Sequence, residues 1–384
     1  MSRSLIRFDL VGPFLLALFA FLVSSLPVTA LETKAREAIL IDFDTGHVLF
    51  QKDADKPMPP ASMSKIMTSY LALERIKDGR LKLDDEIPVS EKAWRKGGSK
   101  MFIEVGKRVK VEDILRGIII QSGNDAAIAL AEALAGSEAA FADMMTEKAR
   151  ELGMATSTFK NATGWPDPGH FVTARELAIL AEATIRHHPE YYSMYSERTF
   201  TYNKIRQGNR NPLLYKAMGA DGLKTGHTEE AGYGLTASVK RGDRRLILVA
   251  NGMKSVRERS SESERLLEWG FREYDNYLLL KKGEMIENAE VWLGVEPIVP
   301  LVSASDMLVT LPRLARKSMN VTVEYEGPIA APIEAGQELA TLRIKTGEGP
   351  DLVYPLQAGA SVEQLGSFGR IAAALGHLVW GPGS

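Results

Sequence analysis

Residues 223–250 read LKTGHTEEAGYGLTASVKRGDRRLILVA. Three strand-like runs stand in this stretch, over 223–228, 235–240 and 245–250, the last two joined by Arg241-Gly242-Asp243-Arg244, the composition of a hairpin turn. Near the other end of the same region, apolar runs over 38–43 and 48–51 flank Asp44-Thr45-Gly46 and predict a second hairpin. Between the two hairpins the period changes. Met63, Ile66, Met67, Tyr70 and Leu73 recur at three- and four-residue spacing, and Gly79 supplies a stop. Helices are expected over 111–121 and 126–135, with 122–125 as the turn between them, then over 138–152 and 173–187, and a last amphipathic one over 262–274. Strands from both ends enclose a helical block. The expected fold is α+β, one antiparallel sheet with helices on its faces.

Beyond about Tyr277 the character shifts. Strand candidates over 291–295, 308–311, 321–325, 338–344 and 352–356, separated by Gly and Pro, predict a small all-β, sandwich-like domain. The tail over 361–380 returns to a helical period, with Leu365, Phe368, Ile371, Ala372, Leu375, Leu378 and Val379 on one apolar stripe. At the N-terminus, Arg3 and Arg7 precede an uncharged stretch over 10–26 and then Val28-Thr29-Ala30, the order of a secretory signal peptide. At 17 residues interrupted by Pro13, an uncleaved anchor helix is the weaker reading.

Composition narrows the function classes. The 384 residues carry 47 Lys and Arg against 49 Asp and Glu, with 45% hydrophobic residues. This is ordinary globular composition in two or three domains, not disorder, collagen or a polytopic membrane protein. A net charge of −2 gives no global field for nucleic acid, and none is expected as a partner. The absence of cysteine excludes disulfides, thiol catalysis and thiolate metal sites. None of the six histidines forms a His-x-x-x-His pair with a glutamate beside it, and no phosphate loop, dinucleotide fingerprint or Gly-x-Ser-x-Gly elbow is present. Neither metal nor cofactor is expected.

Three short elements remain. Ser62-Met63-Ser64-Lys65 opens the first long helix, so Lys65 can reach back to the Ser62 hydroxyl at the helix N-terminus. Ser122-Gly123-Asn124 occupies an interhelical turn, and Lys224-Thr225-Gly226 lies on a strand that continues to His227-Thr228. Each alone reads as a capped helix, a turn or a strand end. In this order, each on the element its chemistry needs, they form a set.

That set resembles the active-site serine penicillin-recognising enzymes, and within them the low-molecular-mass penicillin-binding proteins of the D-alanyl-D-alanine carboxypeptidase family. The matching stretches are Pro60-Ala61-Ser62-Met63-Ser64-Lys65-Ile66-Met67-Thr68, Gln121-Ser122-Gly123-Asn124-Asp125-Ala126 and Asp221-Gly222-Leu223-Lys224-Thr225-Gly226-His227-Thr228, with Ala231-Gly232-Tyr233 and Leu266-Leu267-Glu268-Trp269-Gly270-Phe271 beside them. The likeness implies a signal peptide (1–30), a serine D,D-peptidase catalytic domain (31–277), a small β domain (278–360) and an amphipathic C-terminal helix (361–384). It also implies a secreted, periplasmic enzyme lying on the outer face of the cytoplasmic membrane through that helix. Its partners would be the peptidoglycan stem peptide and β-lactam antibiotics.

Ser62 is the expected nucleophile and Lys65 its base, since no histidine or carboxylate is placed to serve. Neutralising that lysine requires burial and a second cation, for which Lys224 is the candidate. Ser122 is expected to bridge the two lysines and pass a proton to the leaving amine, and Asn124 to orient Lys65. Lys224, Thr225 and Gly226 would face the substrate's terminal carboxylate, with the backbone N–H groups of Ser62 and His227 as oxyanion hole. The resemblance adds an arginine from the last strand–helix connection. Arg259 fits its offset, Arg257 stays open as a neighbour, and Arg210 is a further candidate. It also gives the His227 side chain a part in deacylation. A D,D-endopeptidase is the nearest alternative. A β-lactamase is disfavoured because no Glu-x-x-Leu-Asn segment lies between Asn124 and Lys224. A non-catalytic peptidoglycan-binding protein is disfavoured because every key side chain is intact.

Overall fold

The structure is a computed structural model that describes residues 31–314, 319–345 and 351–372. The proposed signal peptide therefore lies outside the described residues, and so does the end of the tail. The described residues from Thr33 onward form one compact unit. It opens with the antiparallel hairpin β1 (Glu37–Asp42) and β2 (Val48–Lys52). The helical block follows: α1 (Lys65–Lys77), the short strand β3 (Glu86–Pro88), α2 (Glu91–Arg95), strand β4 (Arg108–Lys110), α3 (Val111–Ile119), α4 (Asn124–Ala135), α5 (Glu138–Glu151) and α6 (Ala174–His187). A small hairpin, β5 (Thr199–Tyr202) and β6 (Ile205–Gly208), leads to β7 (Ala220–Thr228), β8 (Gly232–Arg241), β9 (Arg244–Met253) and α7 (Val256–Glu273).

Among the described residues the main sheet has the order β2-β1-β9-β8-β7, antiparallel throughout. The expected enclosure is thus realised, with β1 beside β9 and Leu40 opposite Leu248. Both faces of the sheet are covered, which is why β1 and β9 carry near-continuous apolar runs rather than alternating ones. Ile39, Ile41, Leu223, Ile247 and Val249 pack with α1, α3, α4 and α6 in one large core. The alternate residues Leu40 and Leu246 lie against α7 at Gly270.

Helix α7 starts at Val256, six residues before the expected 262, because Ser255 caps it by accepting the Glu258 N–H. The apolar stripe begins only at Leu266, so the charged first turns were invisible to a periodicity reading. This shift places Arg259 in the first turn of the helix.

The architecture changes at Tyr274, where α7 ends and β10 (Tyr274–Leu280) begins. The remaining strands are β11 (Met285–Trp292), β12 (Ile298–Ser303), β13 (Met307–Pro312), β14 (Asn320–Glu324), β15 (Ile329–Ala330), β16 (Glu338–Lys345) and β17 (Leu352–Ala358). They form a second sheet, β14-β16-β17-β12-β11-β15 among the described residues, and a β10–β13 ribbon. Leu301, Leu342, Ile344 and Leu356 fill their core. The tail departs from expectation. Residues 361–366 are not helical, because Val362 and Gln364 bridge to Ile333 and Gly294 and the Leu365 N–H bonds the Leu293 carbonyl. Helix begins at residue 367. No helix among the described residues is long and apolar enough to cross a membrane.

The two regions are joined through Asp42, a fully buried carboxylate. It accepts from the Asp44 and Thr45 N–H groups, from Asn276 Nδ2 at 3.0 Å and from Arg244 Nε at 2.9 Å. Arg244 in turn donates to the Tyr274 carbonyl, and Thr310 bonds both Thr45 and Asn276. Asp42→Ala would strand the Arg244 guanidinium, which lies at the same junction and is only about one-tenth exposed. A loss of about 3–5 kcal/mol in urea unfolding is expected. A change under 1 kcal/mol would show that the junction carries no such weight.

Candidate active site

Ser62 sits in a 3-10 turn, Ala61–Ser64, that feeds directly into α1. The turn is held in an uncommon shape. Ala61 has a φ of +47°, which side chains rarely adopt. Gly164 presses against it so closely that a Cβ there would lie 1.7 Å from the Ala61 carbonyl oxygen. From the other side, a Cβ on Gly226 of β7 would lie 2.9 Å from the Pro60 carbonyl. The nucleophile turn is thus clamped between the 161–168 loop and the sheet edge. Ser64, the other hydroxyl of the motif, is fully buried and already bonded to the Ala61 carbonyl and to His170.

Lys65 has no exposed surface. Its Nζ lies 2.6 Å from the Thr163 carbonyl, 2.8 Å from Asn124 Oδ1 and 3.0 Å from Ser62 Oγ. A neutral amine has two protons and one lone pair. The carbonyl and the amide oxygen can only accept, so they take both protons, and the lone pair faces the Ser62 hydroxyl. Burial brings the Lys65 pKa down from 10.5 to about 7, and the charges of Arg210 and Lys96 push the same way against Asp125 and Glu138. Arg210 therefore joins Lys224 as a cation acting on Lys65, since the repulsion between the two lysines is mutual. Lys224 is itself buried on β7 and is held well below the usual lysine range by burial, then by Lys65, Arg210 and Arg259.

Ser122 stands beside the two lysines' site without bonding either. Its Oγ is buried and has no hydrogen-bond partner, so the expected bridge between the lysines is not made before substrate arrives. It has a φ of +63° and faces the same cavity as Ser62. Asn124 heads α4, donates through Nδ2 to the Gly97 carbonyl at 2.8 Å and through its backbone to the Ser99 carbonyl. Asp125 beside it accepts the N–H groups of Met101, Phe102 and Ile103. The backbone of residues 97–99 and 101–103 is thereby built into the site, while the Lys100 side chain turns away to the Trp94 carbonyl. Sequence reading passed over this stretch, although Gly97-Gly98-Ser99 carried a turn signal. It also had no means of finding Thr163, which acts through a backbone carbonyl.

Ser62 stands between two cavities. One, of about 260 Å³, is walled by Ser122, Arg210, Thr225, His227 and Arg259. Arg259 is buried with Nε unpartnered, and burial with the Arg210 charge lowers its pKa to about 10. Arg257 is exposed and lines neither of the two cavities beside Ser62. Arg210 also reaches the site and donates to Ser99 Oγ at 2.5 Å. The His227 ring is exposed and stacks on Tyr233 with centroids 3.9 Å apart. The other cavity, of about 390 Å³, runs past Asn124, Thr163 and Trp165. A hydroxyl facing a neutral amine, an unpartnered hydroxyl and a dicationic cavity suit acyl transfer from a peptide with a free terminal carboxylate.

Comparison with known proteins agrees with this chemistry. The family model for D-alanyl-D-alanine carboxypeptidase matches residues 24–255, and that for the penicillin-binding protein 5 C-terminal domain matches residues 274–364. The chain is 40% identical to D-alanyl-D-alanine carboxypeptidase DacC of Escherichia coli K12, over 96% of this chain and 94% of that one. It is 36% identical to DacA of the same organism, over 88% and 86%. Penicillin-binding protein 5 of Haemophilus influenzae superposes with a TM-score of 0.79 at 34% identity, over 88% of this chain and all of that one. Penicillin-binding protein D2 of Listeria monocytogenes, in its ampicillin-bound form, superposes at 0.58 with 33% identity, over 63% and 99%.

Since the lone pair of neutral Lys65 is what faces Ser62, acylation by a fluorescent penicillin should quicken with pH up to about 7 and level off above it. A rate constant flat between pH 5 and 8, by stopped flow, would exclude Lys65 as the base.

Proposed function

The chain belongs to the D-alanyl-D-alanine carboxypeptidase family of serine peptidases, and from that premise we infer how its own residues run the reaction. The protein is a serine-type D-alanyl-D-alanine carboxypeptidase, a penicillin-binding protein acting on peptidoglycan. In our reading the terminal D-alanine of a stem pentapeptide enters the cationic cavity with its carboxylate toward Arg259, Arg210 and Thr225. Lys65 takes the Ser62 proton as Oγ attacks the penultimate carbonyl. The backbone N–H groups of Ser62 and His227 receive the oxyanion; the Ser62 N–H lies in the first turn of its helix and has no intrahelical acceptor. Ser122, unpartnered before substrate arrives, passes the proton to the departing amine. Water then releases the acyl group. The observation that carries this reading is the Lys65 amine, whose two protons are claimed by Thr163 and Asn124.

Ser62→Ala should abolish both the penicillin adduct in intact mass spectrometry and D-alanine release, with the unfolding transition retained. An adduct mapping to Ser64 or Ser122 in the unaltered protein would overturn the assignment.

We further propose that residues 1–30 are a signal peptide, that the mature enzyme is periplasmic, and that its tail rests on the outer face of the cytoplasmic membrane. Phe368 and Ile371 support the last point, being 91% and 59% exposed where the tail helix begins, while Leu375 and Leu378 lie outside the described residues. Apolar side chains buried at about 1.5–3 kcal/mol each suffice for reversible surface binding. Because Val362 and Gln364 belong to the β region, the informative truncation ends at Gly366. The shortened protein should stay in the supernatant with vesicles and keep full activity on a short peptide, while the full-length mature form sediments. Supernatant recovery of both would make the tail a packing element.

A further inference from the structure

We propose that the rim formed by Trp94, Lys96, Lys100, Phe102 and Lys107 binds the saccharide–peptide polymer itself, apart from the stem terminus held in the groove. The proposal rests on the carboxypeptidase reading and concerns how the enzyme holds its polymeric substrate.

Charge is the first observation. Residues 91–110 contain seven Lys and Arg against two Glu, in a chain of net charge −2. Three of these cations are neutralised, Lys92 by Glu138, Arg95 by Glu91 and Arg108 by Glu86. Lys96, Lys100, Lys107 and Lys110 have no acidic ion-pair partner among the described residues. The Lys96 ammonium stands 4.3 Å over the Trp165 ring, and that of Lys100 bonds only the Trp94 carbonyl.

Strain is the second. Phe102 has a φ of +67° and is 44% exposed, and Trp94 is 41% exposed. A bulky residue in the left-handed region is an outlier that persists only when its surroundings hold it there. Here the Asp125 carboxylate does so, through the N–H groups on Phe102 and both its neighbours. The result holds a partly exposed aromatic ring at the surface, on the same 91–110 segment as Trp94 and the three rim lysines.

Continuity is the third. Gly98 and Ser99, between Lys96 and Lys100, line the larger cavity with Ser62 and Trp165, so the rim begins where the groove ends. Glu229 lines the groove too, and Glu230 follows it. A strand bearing carboxylates is repelled from those residues and attracted to the lysines. The occupant with matching chemistry is a chain of sugar rings, whose apolar faces suit exposed aromatic rings, carrying peptide carboxylates for the lysines.

The test compares the full-length mature protein with Lys100→Glu/Lys107→Glu, with Lys100→Arg/Lys107→Arg and with Trp94→Ala. Each is sedimented with insoluble peptidoglycan at low and high salt, and each is assayed for D-alanine release from that polymer and from a short soluble peptide. The charge-reversed and Trp94→Ala proteins should bind polymer about tenfold more weakly. Charge reversal should also remove the salt dependence. Turnover of the short peptide should be unchanged, and the arginine pair should behave like the unaltered protein. Undiminished sedimentation of the charge-reversed protein would overturn the proposal. So would an equal loss on polymer and short peptide, or a loss of binding to anionic lipid vesicles while polymer binding persists. Failure of the unaltered protein to release D-alanine from the short peptide would instead sink the carboxypeptidase reading, and sedimentation would still decide the rim.

Discussion

Everything in the catalytic region depends on burying one amine. Lys65 is fully enclosed and no carboxylate hydrogen-bonds to it. Bringing its pKa from 10.5 to about 7 corresponds to about 5 kcal/mol against the cation. Only a large, well-packed core can absorb that, and the apolar block formed by α1, α3, α4 and α6 against one sheet face supplies it. The same burial leaves the proton one short path, between Ser62 and the amine. Arginines placed near the amine serve twice, since Arg210 depresses Lys65 and lines the cavity suited to the substrate carboxylate.

Backbone strain gathers around this amine. Ala61, Ser122 and Phe102 all adopt positive φ, and all three lie on segments that touch Ser62, Asn124 or Asp125. Each such residue costs of order 1–3 kcal/mol, so the scaffold must hold each from several sides. Gly164 and Gly226 do this for Ala61 by close approach, and Asp125 does it for Phe102 by accepting three N–H groups in a row. The Ser122 hydroxyl is left without a partner. An orphan buried hydroxyl is unfavourable in the resting protein, and it becomes favourable only when a substrate atom completes it.

Much of the fold was legible in the sequence. The strand runs over 38–41 and 246–250 are apolar without interruption because both sheet faces are covered, and their pairing closes the sheet around the helices. Ser62, Lys65, Asn124 and Lys224 were legible because their chemistry is tied to short local spacing: one helical turn, one helix start, one strand. Less legible were β10, β12 and the small hairpins, where exposed and buried residues mix, and the start of α7, hidden behind a charged first turn.

What the sequence determined by itself was therefore the set of reactive groups and the elements that carry them, because periodicity and short motifs are local properties. What only the tertiary structure decided was which distant groups share a volume. It brought the Arg210 charge to bear on Lys65 together with that of Lys224, placed Arg259 rather than Arg257 in the cavity wall, brought in the Thr163 carbonyl and the backbone of residues 97–99 and 101–103, and left Ser122 unbonded. The electrostatic field on a buried group is set by residues tens to hundreds of positions away along the chain. Those distances exist only once the sheet has closed and the helices have packed against it.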